Sequence, residues 1–229
     1  MAEPRRRSSP RMQRRRDRTR IAILRAAGRI FRERGFAETA MRDIAAGADL
    51  SVANLYHHFS GKDEILFFCQ DRSLDLMLAA VAEARRLPGG AAMRLRHVLR
   101  AHAEAVLDEV EGAVAHIATD ALSDPLRRRI VAKRDRYEHA LRGLVGECLV
   151  DRESGSRERN RWRAGASGPA VVHTNGDVAV VTRAMLGALN WTATWFRPDG
   201  ERSAGAVADT IANYLMAGMK NLNATKETA

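Results

Sequence analysis

The fold is decided by residues 23–66, which are ILRAAGRIFRERGFAETAMRDIAAGADLSVANLYHHFSGKDEIL. Just before and within this stretch, apolar side chains recur every three or four residues, which is the period of one face of an α-helix. Gly35 follows the last of them and is a usual residue just beyond a helix end. The pattern predicts a first helix that begins at Thr19, with a buried face made of Ile21, Leu24, Ala27 and Phe31.

Two shorter helices are predicted after the first. Thr39 is a preferred N-cap residue and indicates where the first of them begins. A turn over residues 49–51 separates it from the second. The apolar side chains expected to face the core are Ile44, Ala45, Ala48, Leu55 and Phe59. Two short helices around a tight turn fit the major groove of DNA, which is ~12 Å wide, so this stretch predicts a helix-turn-helix module.

With these elements in order, residues 23–66 resemble the N-terminal part of the TetR/AcrR family of bacterial regulators. The matching features are Ile23-Leu24-x-Ala26-Ala27, Phe31, Gly35, Asp43-Ile44-Ala45, Leu55-Tyr56-x-x-Phe59 and Lys62-Asp63. Asp49 replaces the family's turn glycine, and Ala53 replaces a glycine early in the recognition helix. Asp tolerates left-handed backbone angles and Ala is a good helix former, so these departures bear on the operator sequence and not on the fold.

Four residues are candidates for base contacts. Arg42 has the forked geometry that suits a guanine edge or a phosphate. Ser51, Val52 and Asn54 lie at the predicted start of the recognition helix, where Asn can pair with adenine and Val can touch a thymine methyl group. Outside such a motif, Asn54 would be interpreted as a cap or a surface residue, and Arg42 as a solvated arginine.

A second group of residues is expected to contact phosphates. Tyr56 and His57 resemble the family's phosphate-contacting pair. Lys62 places a cation near the DNA backbone, and Thr39 offers a hydroxyl or a helix N-terminus. These contacts would position the protein without specifying sequence. His58 has two open interpretations, a side chain packed beside Phe59 or a further DNA contact.

The remainder of the chain is also predicted to be helical, which makes the fold class all-α. A long helix begins near Lys62 and ends before Pro88. Further helices are predicted over 92–110, 113–122, 124–150, 177–196 and 203–222, with a structureless loop over 151–176. The expected domains are a disordered basic arm (1–17), the helix-turn-helix module (18–61), a ligand-binding and dimerisation bundle (62–222) and a tail (223–229).

The resemblance implies that the last two helices pair with their copies in a second subunit to form a homodimer. Residues 186–200 are similar to the corresponding helix of family members that respond to coenzyme A thioesters. Asn190, an amide on an apolar helix, needs a polar partner or a ligand. Trp191 and Trp195 share a face and would either wall a pocket or fill the dimer interface. The other ligand-binding candidates are His102, His116 and Tyr137, each of which has a plain core interpretation as well.

Composition restricts the function. The net charge of +10 favours a polyanionic partner, with double-stranded DNA first. No apolar run approaches the ~20 residues that span a bilayer, so no membrane partner and a cytoplasmic location are expected. Cys69 and Cys148 have no metal or redox spacing, and no catalytic or cofactor motif is found, so an enzyme is not expected.

The sequence thus predicts a sequence-specific DNA-binding transcription regulator. The favoured mechanism is repression released by a small hydrophobic effector, with acyl-coenzyme A as one candidate and lipid or sterol catabolism genes as candidate targets. The alternative is an architectural DNA-binding protein without an effector.

Overall fold

A computed structural model of the chain describes residues 10–107, 119–161 and 175–221, and the side chains of 10–107, 119–150 and 177–219. Every regular element in these ranges is helical. The α-helices are α1 (Pro10–Arg34), α2 (Met41–Gly47), α3 (Val52–Tyr56), α4 (Lys62–Ala84), α5 (Ala91–Leu107), α6 (Asp124–Arg161), α7 (Asn175–Trp195) and α8 (Ala204–Asn221), and Thr119–Ala121 forms a 3₁₀ turn. The all-α prediction is confirmed.

Helix α1 begins earlier than its apolar pattern indicates. The prediction of a disordered arm through Asp17 is wrong from Pro10 onward, and residues 1–9 lie outside the described part of the chain. Pro is tolerated in the first turn of a helix, and Arg, Gln and Met are good helix formers. Within this extension the Gln13 amide donates to Asp17 at 3.3 Å, and Thr19 Oγ1 donates to the carbonyl of Arg15 at 3.1 Å. Local propensity therefore suffices for a fully exposed helical segment.

The loops around α2 and α3 set the geometry of the module. Gly35, at φ 81°, ends α1, and its N–H donates to the carbonyl of Phe31 at 2.9 Å, as in a left-handed C-cap. Asp49 holds φ 56° in the α2–α3 turn, so the residue that replaces the turn glycine does adopt the left-handed conformation. Ser51 caps α3 by accepting from the N–H of Asn54 at 3.1 Å.

The predicted N-cap at Thr39 is wrong by one residue. Ala40 occupies the N-cap of α2, and its N–H donates to the Asp43 carboxylate at 2.9 Å. The hydroxyl of Thr39 donates instead to the carbonyl of Gly35 at 2.7 Å, and the side chain is buried. The acidic residue at the third helical position satisfies the free N–H of the N-cap residue.

Helix α4 connects the two parts of the molecule. Its first turns place Ile65 and Leu66, both fully buried, in one core with α1 and α3, and the ring of Phe68 lies 5.5 Å from that of Phe59. Its later turns pack on α5 and α6. The predicted boundary at residue 62 coincides with the start of α4, but the first turns of that helix complete the core of the N-terminal module.

The C-terminal helices form a bundle in which α5 packs on α4, α6, α7 and α8. Two ion-pair clusters cross it. Lys133 of α6 binds Asp71 and Asp75 of α4 at 2.6 and 2.7 Å. Asp209 of α8 accepts from Arg96 and Arg100 of α5 at 3.0 and 3.1 Å. These contacts fix α4 and α8 to the centre of the bundle.

Two predicted segments of the bundle differ from the structure. The predicted loop over 151–176 is wrong at both ends, because α6 continues to Arg161 and α7 begins at Asn175. Gly and Ser weaken the periodic signal there, but the many Arg and Glu residues favour a helix. The helix predicted over 113–122 has its described end, Thr119–Ala121, in a 3₁₀ turn, and residues 113–118 lie outside the described ranges.

Candidate nucleic-acid interface and interior cavity

Helix α3 presents an outer face to solvent. Val52 and Tyr56 are exposed to 40% and 52%, and Ser51, Asn54 and His57 are also exposed. Within the described chain, the side-chain amide of Asn54 makes no hydrogen bond, whereas an amide acting as a cap would make one. On the opposite face Leu55 and, just beyond the helix, Phe59 are buried. The sequence-predicted base-contacting residues are thus free to meet a groove.

Arg42 of α2 extends the same surface. Its side chain is 83% exposed, and its Nε lies 3.9 Å from the Asp43 carboxylate. Arg34 lies at the same distance from that carboxylate, and the Ala40 N–H also binds it. An ion pair this long and exposed contributes little. The Arg42 guanidinium can therefore exchange the carboxylate for a phosphate or a guanine edge at small cost.

Two residues predicted to contact phosphates have structural roles instead. Lys62 Nζ donates to the carbonyls of Phe36, Ala37 and Thr39 at 2.9, 3.0 and 3.0 Å, and lies 4.6 Å from the ring centre of Phe36. Because an ammonium has three donors, Lys62 has none left for a phosphate. The hydroxyl of Thr39 is also engaged, as described above. A DNA contact by either side chain would require these hydrogen bonds to break.

His58 lies beneath the surface that carries His57. The side chain is partly buried, and its Nδ1 has no hydrogen-bond partner among the described residues. Burial first, and then the charges of Arg16, Arg20 and His57, lower its pKa below the ordinary value. Arg20 also lies 4.3 Å from the ring centre of Phe68. Partial burial and the lowered pKa favour packing over a charged contact with phosphate, and the DNA contact of His58 stays a prediction.

A cavity of about 260 Å³ lies between α4, α5, α6 and α7. Its wall contains a hydrogen-bonded chain of three side chains. Nδ1 of His102 lies 2.9 Å from the Tyr137 hydroxyl, and Nε2 lies 3.2 Å from Oδ1 of Asn190. The residues that line the cavity are Gln70, Ser73, Leu74, Met77, His102, Arg134, Asp135, Tyr137, Glu138, Leu186 and Asn190.

Burial sets the protonation of this chain of side chains. It lowers the pKa of His102 to about 4, against a smaller upward effect of the Asn190 hydrogen bond, and it raises the pKa of Tyr137. At neutral pH the imidazole is uncharged and carries one N–H. An amide oxygen only accepts, so that proton lies on Nε2, and the Tyr137 hydroxyl donates to Nδ1. Asn190 is exposed, so its side chain is accessible from outside.

The predicted ligand-binding set is only partly brought together. His102, Tyr137 and Asn190 line one cavity, as the sequence predicts for a shared site. Trp191 and Trp195 do not line it, since they are exposed to 64% and 47% on α7. Their assignment to the pocket is wrong for this cavity. The helical period places the two tryptophan side chains on a different, outward face of α7 from that of Asn190. His116 lies outside the described residues.

Sequence reasoning missed most of the α4 and α6 contributions. Ser73 and Arg134 line the cavity. Gln70, Ser73, Leu74 and Met77 recur at the helical period on α4, and two polar side chains on such a buried face are a signal that could have been recognised. Arg183 of α7 lies 3.6 Å from Glu138, and its side chain is 69% exposed.

Comparison with known families covers both parts of the fold. Residues 23–67 match the profile of the "Bacterial regulatory proteins, tetR family", and residues 88–164 and 168–219 match that of the "Tetracyclin repressor-like, C-terminal domain". The chain belongs to the TetR family of bacterial regulators. It is therefore a DNA-binding transcription regulator, of a family whose members are not enzymes.

Individual TetR-family proteins are similar at a lower level. The transcriptional activator FasR of Mycolicibacterium smegmatis is 29% identical over 140 residues, which are 61% of this chain and 62% of FasR. The transcriptional repressor KstR2 of Mycobacterium tuberculosis is 24% identical over 197 residues, which are 86% of this chain and 90% of KstR2. The curated relatives thus include an activator and a repressor.

Solved structures share the fold. The TetR-family regulator PfmR of Thermus thermophilus is 30% identical, with a TM-score of 0.63, over 85% of this chain and 97% of PfmR. AibR, solved in complex with isovaleryl coenzyme A and operator DNA, is 24% identical, with a TM-score of 0.59, over 86% of this chain and 98% of AibR. None of the helices that the structure describes in this TetR-family chain combines the length and the apolar composition of a membrane-spanning segment.

Proposed function

We propose that this protein is a homodimeric repressor that binds a two-fold operator through α3 and is released by a small molecule held in the interior cavity. The observation that carries the proposal is the exposed face of α3. Val52, Asn54 and Tyr56 are accessible to solvent there, while Leu55 packs in the core of the module. The net charge of +10 supports a polyanionic partner. Because chromosomal DNA lies in the bacterial cytoplasm, the proposal also places the protein there.

The dimer would form through α7 and α8. Val180, Trp191 and Trp195 of α7 and Tyr214 of α8 are exposed to between 47% and 73%. Both helices pack on α5, and large exposed apolar side chains of this kind are typical of an interface with another chain. Small residues on the same two helices, including Gly187 and Gly218, allow close approach of the partner's helices. A two-fold interface of this kind sets a fixed distance between two copies of α3.

The cavity supports release by an effector. Three apolar side chains, Leu74, Met77 and Leu186, line it together with eight polar or charged ones, and polar groups that face a cavity can fix the orientation of a small molecule. A molecule that prefers one of two conformations shifts the equilibrium toward it. Helix α4 connects the cavity with the recognition helix, because its middle turns line the cavity and its first turns lie in the core beneath α3. AibR, crystallised with isovaleryl coenzyme A and operator DNA, supports acyl-coenzyme A as a candidate.

Gel-shift titration with the DNA upstream of the protein's own gene tests the proposal. The wild type should form a discrete complex that a scrambled duplex of the same length does not compete away. Asn54→Ala should lose about 10- to 100-fold in affinity for the operator, the value of one good bidentate base contact. Equal binding to every duplex would instead favour the architectural alternative, and absent duplex binding would refute both.

A further inference from the structure

Arg134 is an unusual residue in the wall of the cavity. Its side chain is partly buried, and within the described chain it makes no hydrogen bond and no ion pair. Burial lowers its pKa from the ordinary arginine value. Guanidinium groups in such places normally have a carboxylate or phosphate partner, because removing a charge from water is costly. Among the residues that the structure describes, Arg134 has no such partner.

The nearby acids do not supply it. Asp71 and Asp75 bind Lys133, the residue before Arg134, at 2.6 and 2.7 Å. Glu138 binds Arg142 and lies 3.6 Å from Arg183. Asp135 lines the cavity and is exposed, with no bond to Arg134. Among the described residues, no carboxylate therefore lies within ion-pair distance of the Arg134 guanidinium, although Asp135 and Glu138 line the same cavity.

A second group at the same site lacks a partner. Ser73 is 2% exposed and lines the cavity, and its Oγ makes no hydrogen bond to any described residue. A buried hydroxyl without a partner costs free energy, and here it borders the space that a ligand would fill. The cavity therefore has a hydrogen-bonding position at the buried Ser73 and a positive charge at the partly buried Arg134.

The size of the cavity limits the occupant. Ligand pockets usually measure ~300 to 1,000 Å³, and this one is about 260 Å³. Its apolar wall, formed by Leu74, Met77 and Leu186, suits a hydrocarbon body. A short or medium acyl chain fits this space, whereas a whole coenzyme A thioester would have to leave its nucleotide outside.

We propose that the effector is an organic acid or acid derivative whose acyl body fills this cavity and whose anionic group binds the Arg134 guanidinium. The inference rests on the proposed function and specifies the effector for the same site. The anion has two possible sources with one shared chemistry, the carboxylate of a free acid or a phosphate of its coenzyme A thioester. In either case Arg134 discriminates against neutral analogues of the same shape.

Calorimetric titration of the full chain with octanoate, octanamide and octanoyl coenzyme A tests this proposal. At least one of the two anionic probes should bind the wild type about tenfold or more tightly than octanamide, the range expected for a hydrogen-bonded charge. Arg134→Gln should abolish that preference. Arg136→Gln, which changes an exposed arginine of the same helix outside the cavity, should retain it.

The outcomes distinguish the sources and the hypotheses. Arg134-dependent binding of octanoate supports a carboxylate, and Arg134-dependent binding of octanoyl coenzyme A alone supports a phosphate. Equal binding of octanamide, binding that survives Arg134→Gln, or no binding of either anion at millimolar concentration overturns the proposal. The gel shift in the absence of any probe reports separately on the proposed function, since DNA binding does not depend on the identity of the effector.

Discussion

The hydroxyl of Tyr137 lies 2.9 Å from Nδ1 of His102, and both side chains are buried in the wall of the same cavity. The contact joins α5 to α6, and Asn190 of α7 extends it through Nε2. Three helices of the bundle therefore meet at one imidazole. A ligand that displaced either neighbour would change the packing of all three.

Tyr137→Phe should destabilise the protein by about 1 to 3 kcal/mol, because it leaves Nδ1 of His102 buried without a donor. Urea denaturation at a fixed protein concentration measures the loss, with concentration held constant because dimerisation contributes to stability. The matched control is Tyr56→Phe, which removes a hydroxyl from a side chain that is 52% exposed and outside the proposed dimer interface, and it should change the free energy of unfolding of the DNA-free protein little. Equal effects of the two variants would show that the hydrogen bond to His102 contributes nothing.

His102 should make the stability of the fold dependent on pH. Its pKa is about 4 in the native state, against an ordinary value of 6.5. As the pH falls through this window, the unfolded chain binds a proton and the native protein does not, so acidification favours unfolding. The full difference is about 3 kcal/mol. The loss begins near pH 6.5 and is complete below about pH 4.

The comparison that isolates this effect is between the wild type and His102→Gln, each unfolded by urea at several pH values. The wild type should lose more stability than the variant over the window, whatever their difference at neutral pH. Parallel curves would mean that His102 titrates alike in the folded and unfolded states.

Lys62 and Arg42 should have opposite phenotypes. Lys62→Met removes the donors to three loop carbonyls, and should lower the stability of the N-terminal module by about 1 to 3 kcal/mol. Arg42→Met changes a side chain that is 83% exposed, and should leave stability unaltered while weakening DNA binding and reducing its salt dependence. Denaturation and anisotropy titrations on both variants measure the two properties. An unaltered stability for Lys62→Met would restore its predicted role as a phosphate contact.

Trp191→Glu should convert the dimer to a monomer, because it places a charge in the proposed α7–α8 interface. Sedimentation velocity measures the change in mass. Val131→Glu adds the same charge to an exposed apolar position on α6, 42% accessible, and should remain dimeric. A dimeric Trp191→Glu variant would move the interface away from α7.

The helix-turn-helix module is predictable from sequence because its signals are local. Periodic apolar residues, the stop at Gly35 and the tolerance of Asp49 for a left-handed angle all act within a few residues of chain. The cavity is not predictable from sequence, because Ser73 and Arg134 come from helices far apart along the chain. Their significance also depends on the fold, since it lies in the hydrogen-bond and ion-pair partners that they lack among the described residues. Lys62 shows the same limit, since only the folded loop reveals that carbonyls use all three of its donors.

Two errors in the extent of helices have a simpler origin. The segment from Pro10 to Asp17 and the end of α6 are highly charged and have no apolar stripe. Periodicity therefore gives no signal there, although the intrinsic preference of Arg and Glu for helices remains. Trp191 is adjacent to Asn190 in sequence and yet does not share its cavity, because one step along a helix turns a side chain by about 100°.

Hydroxyl-radical footprinting of the wild-type protein on the DNA upstream of its own gene tests the central claim most directly. If a dimer reads DNA with α3, two half-sites related by a two-fold axis should be protected, in major grooves one helical turn or a multiple of it apart, ~10 base pairs per turn. Protection spread evenly along the duplex, or a single half-site that is unchanged by Asn54→Ala, would contradict it.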